Sequence, residues 1–466
     1  MLKKILSHTL IYGLAKQIPK IAALLSLPII TANLTETDFG VFGIITAVVA
    51  SISALSNMGL DVIIANVFYK HPNHYKLAWR QLYGFLVLWN FIYSLLLGAI
   101  IYLFIPNEAK EHTWLIIGLN VLPFLLFGPT AIFGQNYYQF KEKPMQIAIR
   151  SIVIGLFSVS LNIILISYYH LGYLGWFISI AFSSIAMNIS FWIPLNLKLK
   201  ITPIFFFKRR YIRESLKVSL PVIPHYYSNY LLNSSDQMVM KFMNINIDDI
   251  GKYNASYMIG NVFQQIGIAA GQAVGPMLYK TYTNNDNHTS RKIIFNLQAV
   301  FLSVTFSVAI WMKEIFTLLI KNDNLASMYS LGVIIVMSYS YRPMYLGANN
   351  RLFFNEKTRS LLKITFVAGI FNVASNIILI PYLGFQVAAI TTFISLMYIG
   401  YVGYFLKEFK DSNELSYYPL SWMVLTVSLT LIAYFKGDIN WSFKIIINFI
   451  TLFLVLFFLR KINKPR

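Results

Sequence analysis

Apolar residues in this chain fall in blocks of about 20, separated by short polar loops, which is the length an α-helix needs to cross a lipid bilayer. The pattern predicts an all-α polytopic membrane protein with about 14 transmembrane helices. The longest loop runs from about Asn196 to Arg213, and no segment could form a separate soluble domain. The predicted spans centre near Ala22, Ala50, Ser94, Leu119, Phe157, Phe182, Tyr227, Ile266, Ser303, Ile335, Phe371, Ile394, Leu425 and Phe449.

The basic residues orient these spans. If the N-terminus is cytoplasmic, 29 of the 38 Lys and Arg residues fall in inner loops and tails, seven in outer loops and two inside the first span. This asymmetry follows the positive-inside rule and predicts a multi-pass protein of the cytoplasmic (inner) membrane with both termini cytoplasmic. The formal net charge of +20 is therefore topological and does not indicate nucleic acid. The first apolar block extends past Ile30, which favours an uncleaved span over a signal peptide.

Composition and motifs exclude several kinds of chemistry. The chain has no cysteine, so disulfides and thiolate metal sites are excluded. Its seven histidines are scattered without metal-ligand spacing, and there is no phosphate-binding loop or nucleophile elbow. We expect no cofactor, no metal site and no enzyme activity.

An internal repeat organises the chain. At a shift of 214 residues, positions 129–168 match 343–382 with 15 identities in 40, and the run beginning at Asn162 returns unchanged from Asn376 to Ile380. Two pseudo-symmetric six-helix bundles plus two C-terminal helices are therefore predicted, with a site between the bundles. The expected divisions are a lobe at 1–197, a basic cytoplasmic linker at 198–213, a second lobe at 214–410 and two added helices at 411–466.

Ionisable residues inside membrane spans are costly, so each one is a site hypothesis. Lys16 and Lys20 share one face of the first span, on either side of Pro19, and Arg342 precedes Pro343 near the inner end of the tenth span. These three cations are the predicted anionic-substrate site, although Lys16 could instead form an ion pair and Arg342 could lie at the interface. Asp61 and Asp236 are predicted for ion coupling or structural pairing, and the polar seventh span around Asp236 for cavity lining or helix packing.

Several short stretches together resemble a known family: Leu34 to Phe42, Ser219 to His225, Asn233 to Gln237 and Gly251 to Tyr257. The chain is similar to the polysaccharide transporter family, the O-antigen flippases of Wzx type, within the multidrug, oligosaccharidyl-lipid and polysaccharide exporter superfamily. Gln237 stands where the family usually has an arginine, which puts in doubt an ion-pair role for that position.

The resemblance implies two six-helix lobes, two further helices and alternating access. It implies an undecaprenyl-diphosphate-linked glycan as substrate, surrounding membrane lipids, and polysaccharide polymerase and chain-length proteins as partners in O-antigen or lipopolysaccharide synthesis. Two alternatives stay open. One is a multidrug antiporter of the same superfamily, although the deep charges in the first span are basic. The other is a membrane polymerase or glycosyltransferase, although the outer loops are about ten residues or shorter.

Overall fold

The computed structural model describes residues 17–355, 357–412 and 415–463, and within these ranges every regular element is helical. Two compact units divide the chain, one ending at Tyr230 and the other beginning at Leu231. The first ten helices are α1 (Ile18–Thr31), α2 (Glu36–Ile52), α3 (Asp61–Lys70), α4 (Tyr75–Phe104), α5 (Thr113–Phe127), α6 (Thr130–Phe140), α7 (Pro144–Asn162), α8 (Tyr173–Trp192), α9 (Arg209–Ser219) and α10 (Ile223–Asn233). The boundary between the two units falls inside α10.

The second unit continues with ten further helices of eight residues or more, and it also contains two helices of four residues each. They are α11 (Ser235–Phe242), α12 (Ile247–Thr283), α13 (Asn287–Ile310), α14 (Met312–Leu319), α15 (Tyr329–Ser338), α16 (Arg342–Phe354), α17 (Thr358–Leu383), α18 (Val387–Val402), α19 (Pro419–Lys436) and α20 (Trp441–Asn463).

Each of the fourteen predicted span centres lies in one of these helices. In the described part of the chain, nine helices are long and apolar enough to cross a membrane. A tenth span is formed if α5, with the short turn before it, is joined to α6 across a bend of 56° at Gly128. The chain is a multi-pass α-helical membrane protein, as the sequence predicted.

The two units repeat the same helix pairing. In the first unit α1 packs against α7, and a side chain at Gly155 would collide with Pro19. In the second unit α17 packs against the start of the unit, and a side chain at Gly369 would collide with Leu231. Gly155 and Gly369 are counterparts in the sequence repeat, and small residues of this kind let membrane helices approach closely. The predicted pseudo-symmetry is therefore visible in the packing.

Four of the predicted spans are broken. The second span is interrupted between α2 and α3, where Gly59 has a φ of 68°, and the fourth at Gly128, with a φ of 50°. The seventh breaks between α10 and α11, and the tenth at a 3₁₀ turn, Tyr339–Tyr341, between α15 and α16. Broken helices are tolerated in membranes where protein or a cavity surrounds them. The last two breaks lie beside the polar residues described below.

The segment between α8 and α9 is held against α4. Ile204 N donates to the carbonyl oxygen of Arg80 over 3.0 Å, and Arg80 Nε donates to the carbonyl oxygen of Thr202 over 3.1 Å. Lys208 N donates to the side-chain oxygen of Gln81 over 2.9 Å. Only glycine fits at Gly84, because a Cβ there would overlap the backbone of Ile204. The basic linker is therefore docked on the first unit.

The last two helices pack on α13. Lys444 of α20 is fully buried and donates to both carboxylate oxygens of Glu314, at 2.6 and 2.7 Å, and to the carbonyl oxygen of Gly437 at 2.6 Å. Its ammonium also lies 5.6 Å from the ring centre of Trp311. This contact fixes the added helices to the second unit.

Candidate functional site

Asp236 lies near the start of α11 with 1% of its surface exposed. Its Oδ2 accepts hydrogen bonds from the hydroxyls of Tyr253 at 2.5 Å, Tyr257 at 3.2 Å and Thr392 at 3.0 Å. Its Oδ1 accepts one from the amide of Asn376 at 2.8 Å. Four helices, α11, α12, α17 and α18, thus bring their polar side chains to one carboxylate, and these five residues form what we call the acid site.

Helical spacing produces the acid site. Tyr253 and Tyr257 are four residues apart and therefore share one face of α12, and Asn372 and Asn376 do the same on α17. With its amide oriented so that both ends have partners, Asn372 donates to Asp236 Oδ1 over 3.0 Å and accepts from the backbone N–H of Thr392 over 3.2 Å. The side-chain oxygen of Asn376 in turn accepts a short hydrogen bond from Thr391. The site is a connected polar network inside apolar helices.

The partners that Asp236 has among the described residues are all neutral. A buried carboxylate without a counter-charge loses several kcal/mol of hydration, and each hydrogen bond to a charged group returns about 1.5–3 kcal/mol. Together with the bond from Asn372, these bonds occupy the acceptor positions of the carboxylate, so the ionised form can exist inside the protein. The hydroxyl donors can rotate to present oxygen instead, which would let the site accept a proton or a small cation.

Arg342 begins α16 and is a partly buried charge of the second unit. Its guanidinium donates to the hydroxyl of Tyr341 over 3.0 Å, and its central carbon lies 5.9 Å and 5.8 Å from the ring centres of Tyr341 and Tyr345. Within the described chain its Nε is buried without a hydrogen-bond partner. Because Gly267 has no side chain, α12 can pack directly against the Arg342 side chain.

Tyr339 is 2% exposed, belongs to the turn before Arg342, and lies near both Arg342 and Asp236. The sequence predicted Arg342 near the inner end of its span. In the structure a helix resumes after the turn as α16 and ends at Phe354, so Arg342 lies about midway along the segment from Tyr329 to Phe354.

The other predicted site residues belong to the first unit. Lys16 lies outside the described residues, and with it the predicted pairing between Lys16 and Asp61. Lys20 is half-buried on α1, next to the Pro19 that packs on Gly155. Asp61 is the first residue of α3 and accepts hydrogen bonds from Asn57 and Asn136. A helix N-terminus favours an acidic side chain, so this position is stabilising without any ligand.

Sequence reasoning missed most of the acid site. Tyr253, Tyr257, Asn376 and Thr392 were not predicted as site residues, although Tyr253 and Tyr257 stood in a recognised motif and Asn376 in the repeat. The available signal was polar residues at a spacing of four in otherwise apolar helices. That signal identifies the polar face of each helix, but it does not show which residue of another helix that face contacts.

A match to the sequence model of a protein family decides which family the chain belongs to. The sequence model of the family described as polysaccharide biosynthesis protein matches residues 3–282, which is more than half of the chain. The chain belongs to the polysaccharide biosynthesis protein family. The resemblance found in the sequence is thereby confirmed. A comparison with curated protein sequences gives no significant match.

Solved structures show which fold this family member has. It is similar to a structure titled "Lipid II flippase MurJ, inward closed conformation", with a TM-score of 0.71 and 13% identity over 97% of this chain and 98% of that one. A Pyrococcus furiosus transporter of the MOP superfamily, titled as having a binding pocket of reverse polarity, gives 0.56 and 13% over 91% and 95%. An outward-facing MATE multidrug transporter gives 0.54 and 16% over 92% and 96%. The chain therefore has the fold of these transporters.

Proposed function

We propose that the chain is a flippase that moves undecaprenyl-diphosphate-linked oligosaccharide repeat units from the cytoplasmic to the outer face of the cytoplasmic membrane by alternating access. Its family and its fold support this proposal, since a flippase for a lipid-linked substrate has the same fold. The product would be an O-antigen or other surface polysaccharide, on which polymerase and chain-length proteins act. The lobes at 1–197 and 214–410, the linker at 198–213, the added helices at 411–466 and the cytoplasmic termini are part of the proposal.

Arg342 is the observation that carries the proposal. An undecaprenyl diphosphate presents negatively charged oxygens, and a guanidinium binds such oxygens with directed hydrogen bonds. Arg342 has a buried Nε without a partner in the described chain and two tyrosine rings beside it. In a low-dielectric setting its charge acts strongly on an anion and repels cationic drugs, which disfavours the multidrug alternative. Lys20 and Lys16 are proposed to contribute further positive charge from the first unit.

The test compares two variants of one residue in a strain whose surface polysaccharide depends on this chain. Arg342→Gln removes the charge, and we expect export to fall about 10- to 100-fold, because a hydrogen bond to a charged group contributes about 1.5–3 kcal/mol. Arg342→Lys keeps the charge and should retain part of the export. Both are compared at equal amounts of protein in the membrane.

Undiminished export by Arg342→Gln would remove the role of this arginine. Lys20→Ala is the parallel test in the first unit, and full export by both variants would remove the proposed diphosphate site. If the wild-type chain confers drug resistance but does not restore surface polysaccharide, the result would favour the multidrug antiporter instead.

For Asp236 we propose a coupling role. The carboxylate sits among five donors, of which three are hydroxyls that can reverse to accept, so proton or cation binding requires only local rotation. Such a site can exist in two protonation or occupancy states without repacking. Asp61, at a helix N-terminus beside two asparagines, is proposed for the same role or for structural pairing in the first unit.

Reconstituted vesicles separate coupling from structure. Purified chain is placed in vesicles with lipid-linked oligosaccharide under an imposed proton or sodium gradient. We expect the wild-type rate to follow one of the gradients and Asp236→Asn to transport at a rate that no longer follows it. Asp249→Asn, which removes a carboxylate paired with Lys252 at 3.1 Å, serves as the charge control. A rate of Asp236→Asn that still follows the gradient would contradict the coupling role but not the transport function.

A further inference from the structure

Helix α9 carries a groove that the proposed transport function does not use. The groove has a volume of about 370 Å³. Its floor is apolar, with Ile212, Leu216 and Leu220, and its rim is basic, with Arg209, Arg213 and Lys217. The three basic residues recur every four positions and so lie along one side of the helix. An apolar channel with cations along its edge matches a ligand that has both a hydrocarbon chain and a negative charge.

The charge around this groove is strongly one-sided. Between positions 198 and 217 there are seven Lys and Arg residues and one acid, Glu214. That acid is paired with Arg210 at 2.9 Å, on the side away from the groove rim. The three rim cations are exposed, and no salt bridge involves them among the described residues. The surface therefore favours an anion.

Exposed aromatic residues adjoin the basic helix. The side chain of Phe206 is fully exposed, and Phe205 is 52% exposed. A phenylalanine pair in water next to the basic residues of α9 would be unfavourable, whereas aromatic residues beside lysine and arginine are typical of helices that lie in the membrane interface. The positive-inside pattern puts this segment at the cytoplasmic leaflet, where anionic lipids concentrate.

The groove is preorganised by the docked linker. Hydrogen bonds from Ile204 and Lys208 to α4, together with the close approach at Gly84, fix the chain immediately before α9. The helix therefore needs little ordering to receive a ligand, which lowers the entropic cost of binding. A flexible basic loop would attract anionic membranes without holding one molecule in place.

We propose that this groove binds an anionic phospholipid. Its phosphodiester would contact Arg209, Arg213 and Lys217, and one acyl chain would lie along Ile212, Leu216 and Leu220. The inference does not depend on the transport function, since it uses only the membrane location and the surface of α9.

Native mass spectrometry of the purified chain in neutral detergent tests whether the groove binds an anionic phospholipid. The chain is titrated with phosphatidylglycerol and with phosphatidylcholine of the same acyl chains. Each basic residue near an anionic lipid contributes roughly fivefold to binding, so Arg209→Gln/Arg213→Gln/Lys217→Gln should weaken phosphatidylglycerol about 100-fold and leave phosphatidylcholine unchanged. The single variant Arg213→Gln should weaken phosphatidylglycerol binding about fivefold.

Matched controls keep the result specific. Arg359→Gln/Lys407→Gln/Lys410→Gln removes three exposed cations from other loops predicted to be cytoplasmic and should leave binding unchanged. Leu220→Ser, in the groove, should weaken binding, whereas Val218→Ser, outside it and similarly exposed, should not. Equal losses in the two triple variants, or no loss in either, overturn the site. Equal competition by glycerophosphoglycerol, which has no acyl chain, would show a phosphate site only and overturns the lipid.

Discussion

Asn376 donates a 2.8 Å hydrogen bond to Asp236, whereas Asn162, its counterpart in the first half of the repeat, has a buried side-chain oxygen without a hydrogen-bond partner among the described residues. The same residue therefore stands at the same position of two similar bundles in different surroundings. Among the described residues, the second unit supplies an acid and a threonine partner for it, and the first unit leaves its oxygen without one.

This difference predicts opposite responses to one substitution. Asn376→Leu removes a donor from a buried carboxylate and should destabilise the protein by about 1–3 kcal/mol. Asn162→Leu removes an oxygen that lacks a partner and should leave stability unchanged or raise it. Thermal unfolding in detergent, followed by circular dichroism, measures both. Equal destabilisation by the two variants would show that the asparagines have the same structural role.

The repeated glycines should be sensitive to a single added methyl group. Gly155→Ala forces a Cβ into the rigid ring of Pro19, and Gly369→Ala forces one against the more adaptable Leu231. Overpacking costs about 1–3 kcal/mol, and we expect the larger loss at Gly155. Gly118→Ala is the control, because a Cβ there meets no atom within 4 Å. A loss for Gly118→Ala as large as for Gly155→Ala, in the same unfolding assay, would contradict the packing account.

Gly84→Ala should release the linker from α4. The added Cβ would overlap the backbone of Ile204, so the hydrogen bonds between Arg80 and the linker could not persist. The linker has many basic residues and is therefore rich in trypsin sites. We expect faster cleavage after Lys200 and Lys208 than in the wild type, measured by limited proteolysis and mass spectrometry of the fragments. Gly118→Ala should be cleaved at the wild-type rate; unchanged cleavage of Gly84→Ala would argue against docking.

The ion pair between Lys444 and Glu314 should respond unequally to loss of either partner. Lys444 is fully buried and Glu314 is 41% exposed. Glu314→Gln leaves a buried ammonium without its counter-charge, which costs about 3–5 kcal/mol. Lys444→Met leaves a carboxylate that water can reach, so we expect about 1–3 kcal/mol. Chemical or thermal unfolding measures the loss of stability of each variant. A greater loss of stability for Lys444→Met than for Glu314→Gln would contradict the assignment of Lys444 as the buried charge.

Helix positions followed from sequence because each one depends on local composition. The apolar blocks around Ala22 or Phe449 are long enough to specify a span without reference to the rest of the chain. The breaks were harder to predict. Pro343 and Gly128 stood in the sequence, but a proline or glycine in a membrane helix does not by itself say whether the helix ends there. That outcome depends on which neighbours can satisfy the freed backbone groups.

The acid site could be predicted only in part, for the same reason. Asp236 was identified because an acid in a span is costly wherever it packs. Its partners Asn376 and Thr392 lie 140 and 156 residues away along the chain, and only the packing of α17 and α18 brings them to it. Arg342 was identified by its charge, and the turn that precedes it became visible only in the structure.

The two added helices redistribute the contact between protein and lipid. Half of the most apolar stretch of α13 is buried, against 33% for α4, its counterpart in the first unit. The difference follows from α19 and α20, which cover α13, while α20 itself is only 6% buried in its apolar stretch. In the second unit α20 therefore belongs to the lipid boundary and α13 to the interior. Apart from the buried Lys444, the exposed apolar residues of α20 should be interchangeable with one another, whereas α13 can keep a buried polar residue such as Gln298, which donates to the carbonyl oxygen of Ser340.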